Sequence, residues 1–280
     1  MKTKRTRKNW FIALLILLVA VAAYFLFARD ETPPPAAVAN VEPPSLPAPE
    51  TPRPIQTMPP VELVPEPVPE PEPPRALNPI EPLSPELPLP ELSTSDEPFR
   101  LALGEVTGRT GLTQVLSEEL IYHIVATVDN LPRKYLPASI VPLRRAEGVF
   151  IVEGKGESLV IGARNTKRYA LYTAAAKAID SARLVELYRH YYPLFQRAYQ
   201  DLGYPQAHFN DRLVVAIDDL LAAPEPPAPI RLAQPKILYE YADHRLENRS
   251  AGQKIMIRIG RENAAVLKSK LQDIRARIAR

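Results

Sequence analysis

Twenty-three of the 33 prolines in this 280-residue chain fall between Asp30 and Pro98, and that density limits what the chain can fold into. Proline fixes φ, removes a main-chain donor and pushes its predecessor toward extended conformations. A run such as Val64-Pro65-Glu66-Pro67-Val68-Pro69-Glu70-Pro71-Glu72-Pro73-Pro74 therefore excludes helix and sheet alike. Residues 29–98 are expected to form a disordered, polyproline-II-like linker with an upper contour of roughly 200 Å at about 3.1 Å per residue. Thirteen acids against two arginines between Asp30 and Pro98 add self-repulsion. The linker reads as a passive spacer, the alternative being a ligand strip for an aromatic-lined groove.

The charge is segregated around that linker. Met1–Arg29 carries six basic residues and no acid, and residues 99–280 carry a net +8 that the overall +3 conceals. Lys2, Lys4, Arg5, Arg7 and Lys8 form a cytoplasmic basic tail over residues 1–9 and precede an apolar run from Trp10 to Ala28. At about 1.5 Å per residue that run nearly crosses a hydrocarbon core of about 30 Å. The positive-inside rule then predicts a single transmembrane helix over 10–28, with the N-terminus cytoplasmic and the remainder exported. A cleaved signal peptide is the alternative, although the run exceeds an ordinary h-region and lacks a convincing small-residue cleavage site. No titratable residue lies in the run, so the segment reads as an anchor in membrane lipid without ion coupling.

Residues 99–280 suit one folded domain. Leu112, Val115, Leu116, Leu120, Ile124, Val128 and Leu131 keep helical spacing and predict a helix over 112–130. Val149–Val152 and Leu159–Ile161 flank Gly154-Lys155-Gly156-Glu157 and predict a hairpin. An alanine-rich helix is expected from Tyr169 to Ala178. Asp180 is expected to cap a stripe running from Leu184 to Leu202 through Pro193, either as one kinked helix or as two abutting ones. Asn210 is expected to cap a helix that stops at Pro224. Ser250-Ala251-Gly252-Gln253 has capping-box spacing, and Gly260 separates that helix from a last one with Ala264, Leu267, Leu271, Ile274 and Ile278 on one face. The expected fold is mainly α, a helical domain with one small β-hairpin, preceded by the transmembrane helix and the linker.

Candidate chemistry is sparse. The chain has no cysteine, which removes disulfides, thiol catalysis, iron–sulfur clusters and Cys-based zinc sites. Glu119 and His123 are four apart on one helix face, as a metal would need, but two ligands do not make a site, and an ordinary surface pair is the simpler reading. Asp218-Asp219 and Asp243-His244 would have to converge in space to act as acid and base. Gly154-Lys155-Gly156 lies between strands and not at a helix start, so a hairpin turn is preferred to a phosphate loop. No catalytic residue, metal site or cofactor is assigned.

Two features suit binding instead. Tyr188, Tyr191, Tyr192 and Tyr204, with Tyr199, concentrate amphipathic rings that suit a glycan or a protein partner, although packing in the helix core is the heavier expectation. Lys254, Arg258, Lys268 and Lys270 belong to a basic C-terminal pair of helices that would meet anionic lipid, peptidoglycan or an acidic envelope protein, the alternative being that these cations complement the helix dipole and keep the surface soluble. Nucleic acid is not expected as a partner on the exported side.

Ala126-Thr127-Val128-Asp129-Asn130-Leu131-Pro132-Arg133, the run from Tyr192 to Tyr199 continuing to Leu202-Gly203-Tyr204-Pro205, Phe209-Asn210-Asp211-Arg212-Leu213, Ala251-Gly252-Gln253-Lys254 and Arg258-Ile259-Gly260 resemble the bacterial family called domain of unknown function 3014. The resemblance covers most of Leu112 to Ile278. It implies a bacterial inner-membrane protein and no activity, and it carries no functional residue onto this chain. The overall layout is similar to that of TonB-type energy-transducing proteins, but this anchor has no titratable group and this domain reads helical. The expected role is an inner-membrane-anchored periplasmic binding or scaffolding module of the cell envelope. A peptidoglycan hydrolase or hydrolase activator is the alternative, and a cytoplasmic domain follows if the positive-inside reading fails.

Overall fold

The computed structural model describes residues 75–83, 88–112, 115, 118–144, 146 and 148–279, without the side chains of 108–112. The expected basic tail, the transmembrane helix at 10–28 and the linker as far as residue 74 lie outside the described residues. Among the described residues no helix is long and apolar enough to cross a membrane.

The described residues form a mainly helical unit. Its helices are α1 (Asp96–Leu112), α2 (Leu120–Asn130), the short α3 (Asn165–Arg168), α4 (Ala170–Ala178), α5 (Ser181–Asp201), α6 (Phe209–Leu221), the short α7 (His244–Glu247), α8 (Ala251–Arg258) and α9 (Arg261–Ile278). α9 packs on α4, α5, α6 and α8, while α2 packs on α5 and α6. The five predicted core positions of α9, Ala264, Leu267, Leu271, Ile274 and Ile278, are all buried. The 3.6-residue period places them on one stripe that only a neighbouring helix can cover.

α5 runs unbroken through Pro193, which is exposed. Asp180 caps it by accepting from the main-chain N–H groups of Ala182 at 2.9 Å and Arg183 at 3.3 Å. Phe99, Tyr188, Tyr191, Phe195, Tyr199 and Phe209 form the aromatic centre of the core. Phe195 stacks on Phe209 at 5.7 Å between ring centroids, and Phe99 meets Tyr191 edge-on at 5.0 Å.

Several local expectations are corrected. The predicted helix over 112–130 is two pieces: Leu112 ends α1, Val115 bridges to Leu143 as an isolated antiparallel pair, and α2 begins at Leu120. Glu119, at φ +46, precedes α2 without a side-chain cap. Asp96 of α1 supplies the cap instead, accepting from the N–H groups of Glu119 at 2.7 Å and Leu120 at 2.8 Å. Asn210 lies in the first turn of α6 and is fully buried, so it is not an N-cap. Gln196 of α5 accepts the Phe209 N–H at 2.9 Å in its place.

Two antiparallel ribbons replace the single expected hairpin. β1 (Val152–Glu153) pairs with β2 (Val160–Ile161) as predicted, with Val152 opposite Ile161. β3 (Leu232–Ala233) pairs with β4 (Glu240–Tyr241), with Leu232 opposite Tyr241. Main-chain bonds from Ile161 N–H to Ile230 O and from Leu232 N–H to Leu159 O join the ribbons. Leu232, Tyr241 and Ile257 form a small second core beneath them.

Packing also begins N-terminal to the expected boundary at residue 99. Ser95 is buried, and Ile80, Leu89 and Leu92 pack against the main core. Residues 77–83 form a strap whose main chain is hydrogen-bonded to α5 and α6.

Candidate functional site

Part of the sequence that carried the family resemblance, Asp129 to Arg133, Tyr204, Arg212 and Ala251 to Gln253, meets where α2, α6 and α8 come together. Asp129, at the end of α2, is buried with its side chain 5% exposed. Its carboxylate takes Arg133 Nη2 at 2.6 Å and Arg212 Nε at 2.9 Å, and its main-chain carbonyl accepts from Arg212 Nη2. Tyr204 Oη lies 2.6 Å from Arg133 Nη2 and donates to Asp129 at 3.3 Å, while its ring stacks on Tyr199 at 4.6 Å. A buried carboxylate with two guanidinium partners is satisfied on every side, which makes this cluster a joint between helices.

A second carboxylate closes the joint. Asp219 of α6 accepts from Ser250 Oγ at 2.6 Å and Gln253 Nε2 at 2.9 Å. Ser250 Oγ in turn accepts the Gln253 N–H, so half of the predicted capping box forms while the Gln253 side chain turns to Asp219. Burial raises the Asp219 pKa above the usual carboxylate value, opposed by the bonds from Ser250 and Gln253 and by the charges of Arg212 and Arg249. The main-chain carbonyls of Arg133 and Leu131 accept the N–H groups of Ala251 at 2.7 Å and Gly252 at 2.9 Å, which docks the start of α8 on the turn after α2. Gly252 is required by that approach: a Cβ there would lie 2.7 Å from Leu220 Cδ2 and 3.2 Å from the Leu131 carbonyl.

The outer side of this joint is cationic and aromatic. Tyr135 is 66% exposed, with Lys134 Nζ 5.9 Å and Lys254 Nζ 5.7 Å from its ring centroid. Lys134 reaches Asn248 Oδ1 at 3.4 Å, and the next residue, Arg249, is exposed and acts electrostatically on Asp219. Arg133, Lys134, Tyr135 and Arg249 therefore share one surface, and they form the candidate partner-binding face.

Residues 120–275 match the family described as protein of unknown function (DUF3014). The chain belongs to this family. No curated protein and no solved structure matches the chain. The DUF3014 match spans α2 to α9 and so contains the joint and its outer face.

Of the residues singled out in the sequence, Tyr188 and Tyr191 lie in the DUF3014 core and present no face to a glycan. Burial pushes both phenols above their usual pKa, and Tyr188 donates to Asn210 Oδ1 at 3.1 Å. Tyr192 is half-buried and donates to Gln196 Oε1, and Tyr204 belongs to the Asp129 joint.

The basic C-terminal helices are not a free cationic face either. Lys254 is buried and pairs with Glu247 at 3.0 Å, while the Arg258 guanidinium packs over the rings of Phe150 and Tyr241. Lys268 donates to the Ala223 carbonyl at 2.7 Å and pairs with Glu225, Lys270 donates to the Ile179 carbonyl at 2.6 Å, and Arg275 pairs with Asp218. These cations tie α8 and α9 to the rest of the domain.

The acidic candidates diverge. Asp218 faces Arg275 of α9, Asp219 faces Ser250 and Gln253, and Asp243 caps α7 through the Arg245 N–H at 2.8 Å. Among the described residues no group of three or more His, Cys, Asp or Glu is placed to hold a metal. Sequence reasoning passed over Lys134, Tyr135 and Arg249. The available signal was the run Arg133-Lys134-Tyr135 placed directly after the helix-ending Leu131-Pro132, where a loop carries its side chains outward.

Proposed function

We propose that the protein is an inner-membrane-anchored, single-pass module of the bacterial cell envelope, with its DUF3014 domain in the periplasm acting by binding or scaffolding. The observation that carries this reading is the order of the chain. Five cations precede an apolar run long enough to span a bilayer, a proline- and glutamate-rich linker follows, and the folded domain comes last. That order gives a binding domain reach away from the membrane while keeping it tethered.

Binding is supported over hydrolysis by the use the domain makes of its carboxylates. Asp129, Asp218 and Asp219 are each committed to partners that join helices, and the acid pair that a hydrolase would need between α5 and α6 does not assemble from them. The cationic face around Tyr135 suits a partner that combines carboxylates with flat apolar surface, as peptidoglycan and acidic envelope proteins both do.

Co-sedimentation of the full-length protein in detergent with purified peptidoglycan sacculi tests the reading. Pelleting that falls with added salt, and falls again in a Lys134→Glu, Arg249→Glu double variant, is the expected result. A protein that stays in the supernatant at low salt would remove peptidoglycan as the direct partner.

A further inference from the structure

Residues 77–83, Leu-Asn-Pro-Ile-Glu-Pro-Leu, are held in an unusual way for a segment at the edge of a domain. Side chains of α5 and α6 grip its main chain. Asp211 accepts the N–H groups of Leu77 at 3.0 Å and Asn78 at 2.6 Å, as well as the Asn78 side-chain amide at 3.2 Å. Asn210, fully buried, donates to the Asn78 carbonyl at 2.8 Å. Arg189 Nε donates to the Glu81 carbonyl at 2.9 Å, and the Leu83 N–H donates to the Arg189 carbonyl at 3.3 Å.

The strap contributes little apolar burial in return. Leu77 is 80% exposed, Pro79, Glu81 and Pro82 are exposed, and only Ile80 and Leu83 tuck partly inward. Its prolines, at 79 and 82, fall where the groove asks for no N–H. The N–H groups that are gripped belong to residues 77, 78 and 83. Leu83 also lines an open cavity of about 510 Å³ between α1 and α5, together with Ala102, Val106, Arg183, Leu187 and His190.

We propose that the face of α5 and α6 carrying Arg189, Asn210 and Asp211 is a binding groove for an extended, proline-containing peptide, and that residues 77–83 occupy it in cis as a releasable plug. Main-chain recognition through a few fixed donors and acceptors is the chemistry by which extended peptides are read. Each such bond is largely offset by the bond to water that it replaces, so a strap with so little apolar burial belongs to the least stable part of the fold. Asn210 sets the ligand class, because its side-chain amide offers one donor to the Asn78 carbonyl while the other is committed to the Ile278 carbonyl inside the domain. A replacement ligand must restore a carbonyl there and offer two consecutive N–H groups to Asp211 before its first proline.

The test uses the full-length protein in detergent with residues 77–83 replaced by a glycine–serine segment of equal length, and a fluorescein-labelled peptide of sequence Arg-Ala-Leu-Asn-Pro-Ile-Glu-Pro-Leu read by anisotropy. The strap-replaced protein is expected to bind the peptide at least tenfold more tightly than the unaltered protein. Adding Asp211→Ala to it is expected to weaken binding at least tenfold. Absence of binding by a strap-replaced protein that keeps its helical circular dichroism, or binding that ignores Asp211→Ala, overturns the proposal. Should the replaced protein fail to fold, hydrogen exchange on the unaltered chain decides. Amides of Leu77, Asn78 and Leu83 exchanging at least tenfold faster than those of α5 and α6 support a releasable plug, and exchange at the same rate as those helices overturns it.

Discussion

Arg212 of α6 reaches Asp129 of α2 twice, through its Nε to the carboxylate at 2.9 Å and through Nη2 to the main-chain carbonyl, so one side chain satisfies both the charge and the end of a helix. Arg133 meets the same carboxylate from a position that is 49% exposed, against 22% for Arg212. The two arginines should therefore differ in weight. Arg212→Ala is expected to destabilise the domain by about 3 kcal/mol, because it leaves a buried carboxylate half-compensated. Arg133→Ala is expected to cost less, about 1–2 kcal/mol, because water can reach the half-exposed place that its guanidinium leaves and replace part of its bond to Asp129. Urea unfolding followed by circular dichroism checks the order, and equal losses would contradict it.

Asp96 acts on α2 from 23 residues upstream of Glu119. Asp96→Ala removes the acceptor for two N–H groups at the start of that helix and is expected to cost about 1 kcal/mol. Asp96→Asn should recover part of the loss through its remaining side-chain carbonyl. Thermal unfolding of the two variants would distinguish this cap from a merely surface position, at which both would behave as the unaltered chain.

Much of the architecture was legible wherever a helix carries its own signal. The stripe from Leu184 to Tyr199, the Asp180 cap, the five buried positions of α9 and the first ribbon all follow from local spacing. What escaped was fixed from a distance. α1 has Gly104, Gly108 and Gly111, and among its described side chains it buries a narrow line through Phe99, Leu103 and Thr107, too thin for a periodic pattern to stand out. The starts of α2 and α6 are satisfied by Asp96 and Gln196, neither of which is a local capping residue, and the start of α8 adds to its Ser250 cap the distant carbonyls of Leu131 and Arg133. β3 and β4 are two residues each and are defined by pairing with each other across residues 234–239. The candidate site was less legible than the fold. Tyr188 and Tyr191 pack in the core, which was the heavier expectation for the tyrosine cluster, Lys254, Lys268 and Lys270 bond within the domain, and the exposed Tyr135 stands outside the regions where these residues cluster.

Gly252 lies against Leu220, Asp219 and the Leu131 carbonyl, so a methyl group there requires the buried Leu220 side chain to shift and its other neighbours to give by a few tenths of an ångström. Gly252→Ala is expected to destabilise by about 1–3 kcal/mol through overpacking. Gly252→Ala combined with Leu220→Ala should be less damaging than the sum of the single changes, since the second opens the space that the first requires. Additive losses in chemical denaturation would place the strain elsewhere.

Asp219 provides the pH dependence. Its pKa in the folded domain is raised by burial, so the group binds its proton more tightly folded than unfolded. Its contribution to stability is fully present below the unfolded value of 3.8 and is lost as pH rises through the higher folded value. Asp219→Asn stays neutral throughout. The stability of the variant relative to the unaltered protein should therefore improve as pH rises from about 4 to 7. Parallel stability curves for the two proteins over that interval would show that Asp219 titrates alike in both states.

The membrane topology tests the central claim most directly. The full-length protein carrying alkaline phosphatase after Arg280 is expected to show phosphatase activity in intact cells, and the same position carrying a cytoplasm-dependent fluorescent protein is expected to stay dark. Fluorescence without phosphatase activity would put the DUF3014 domain in the cytoplasm and contradict the envelope-binding account.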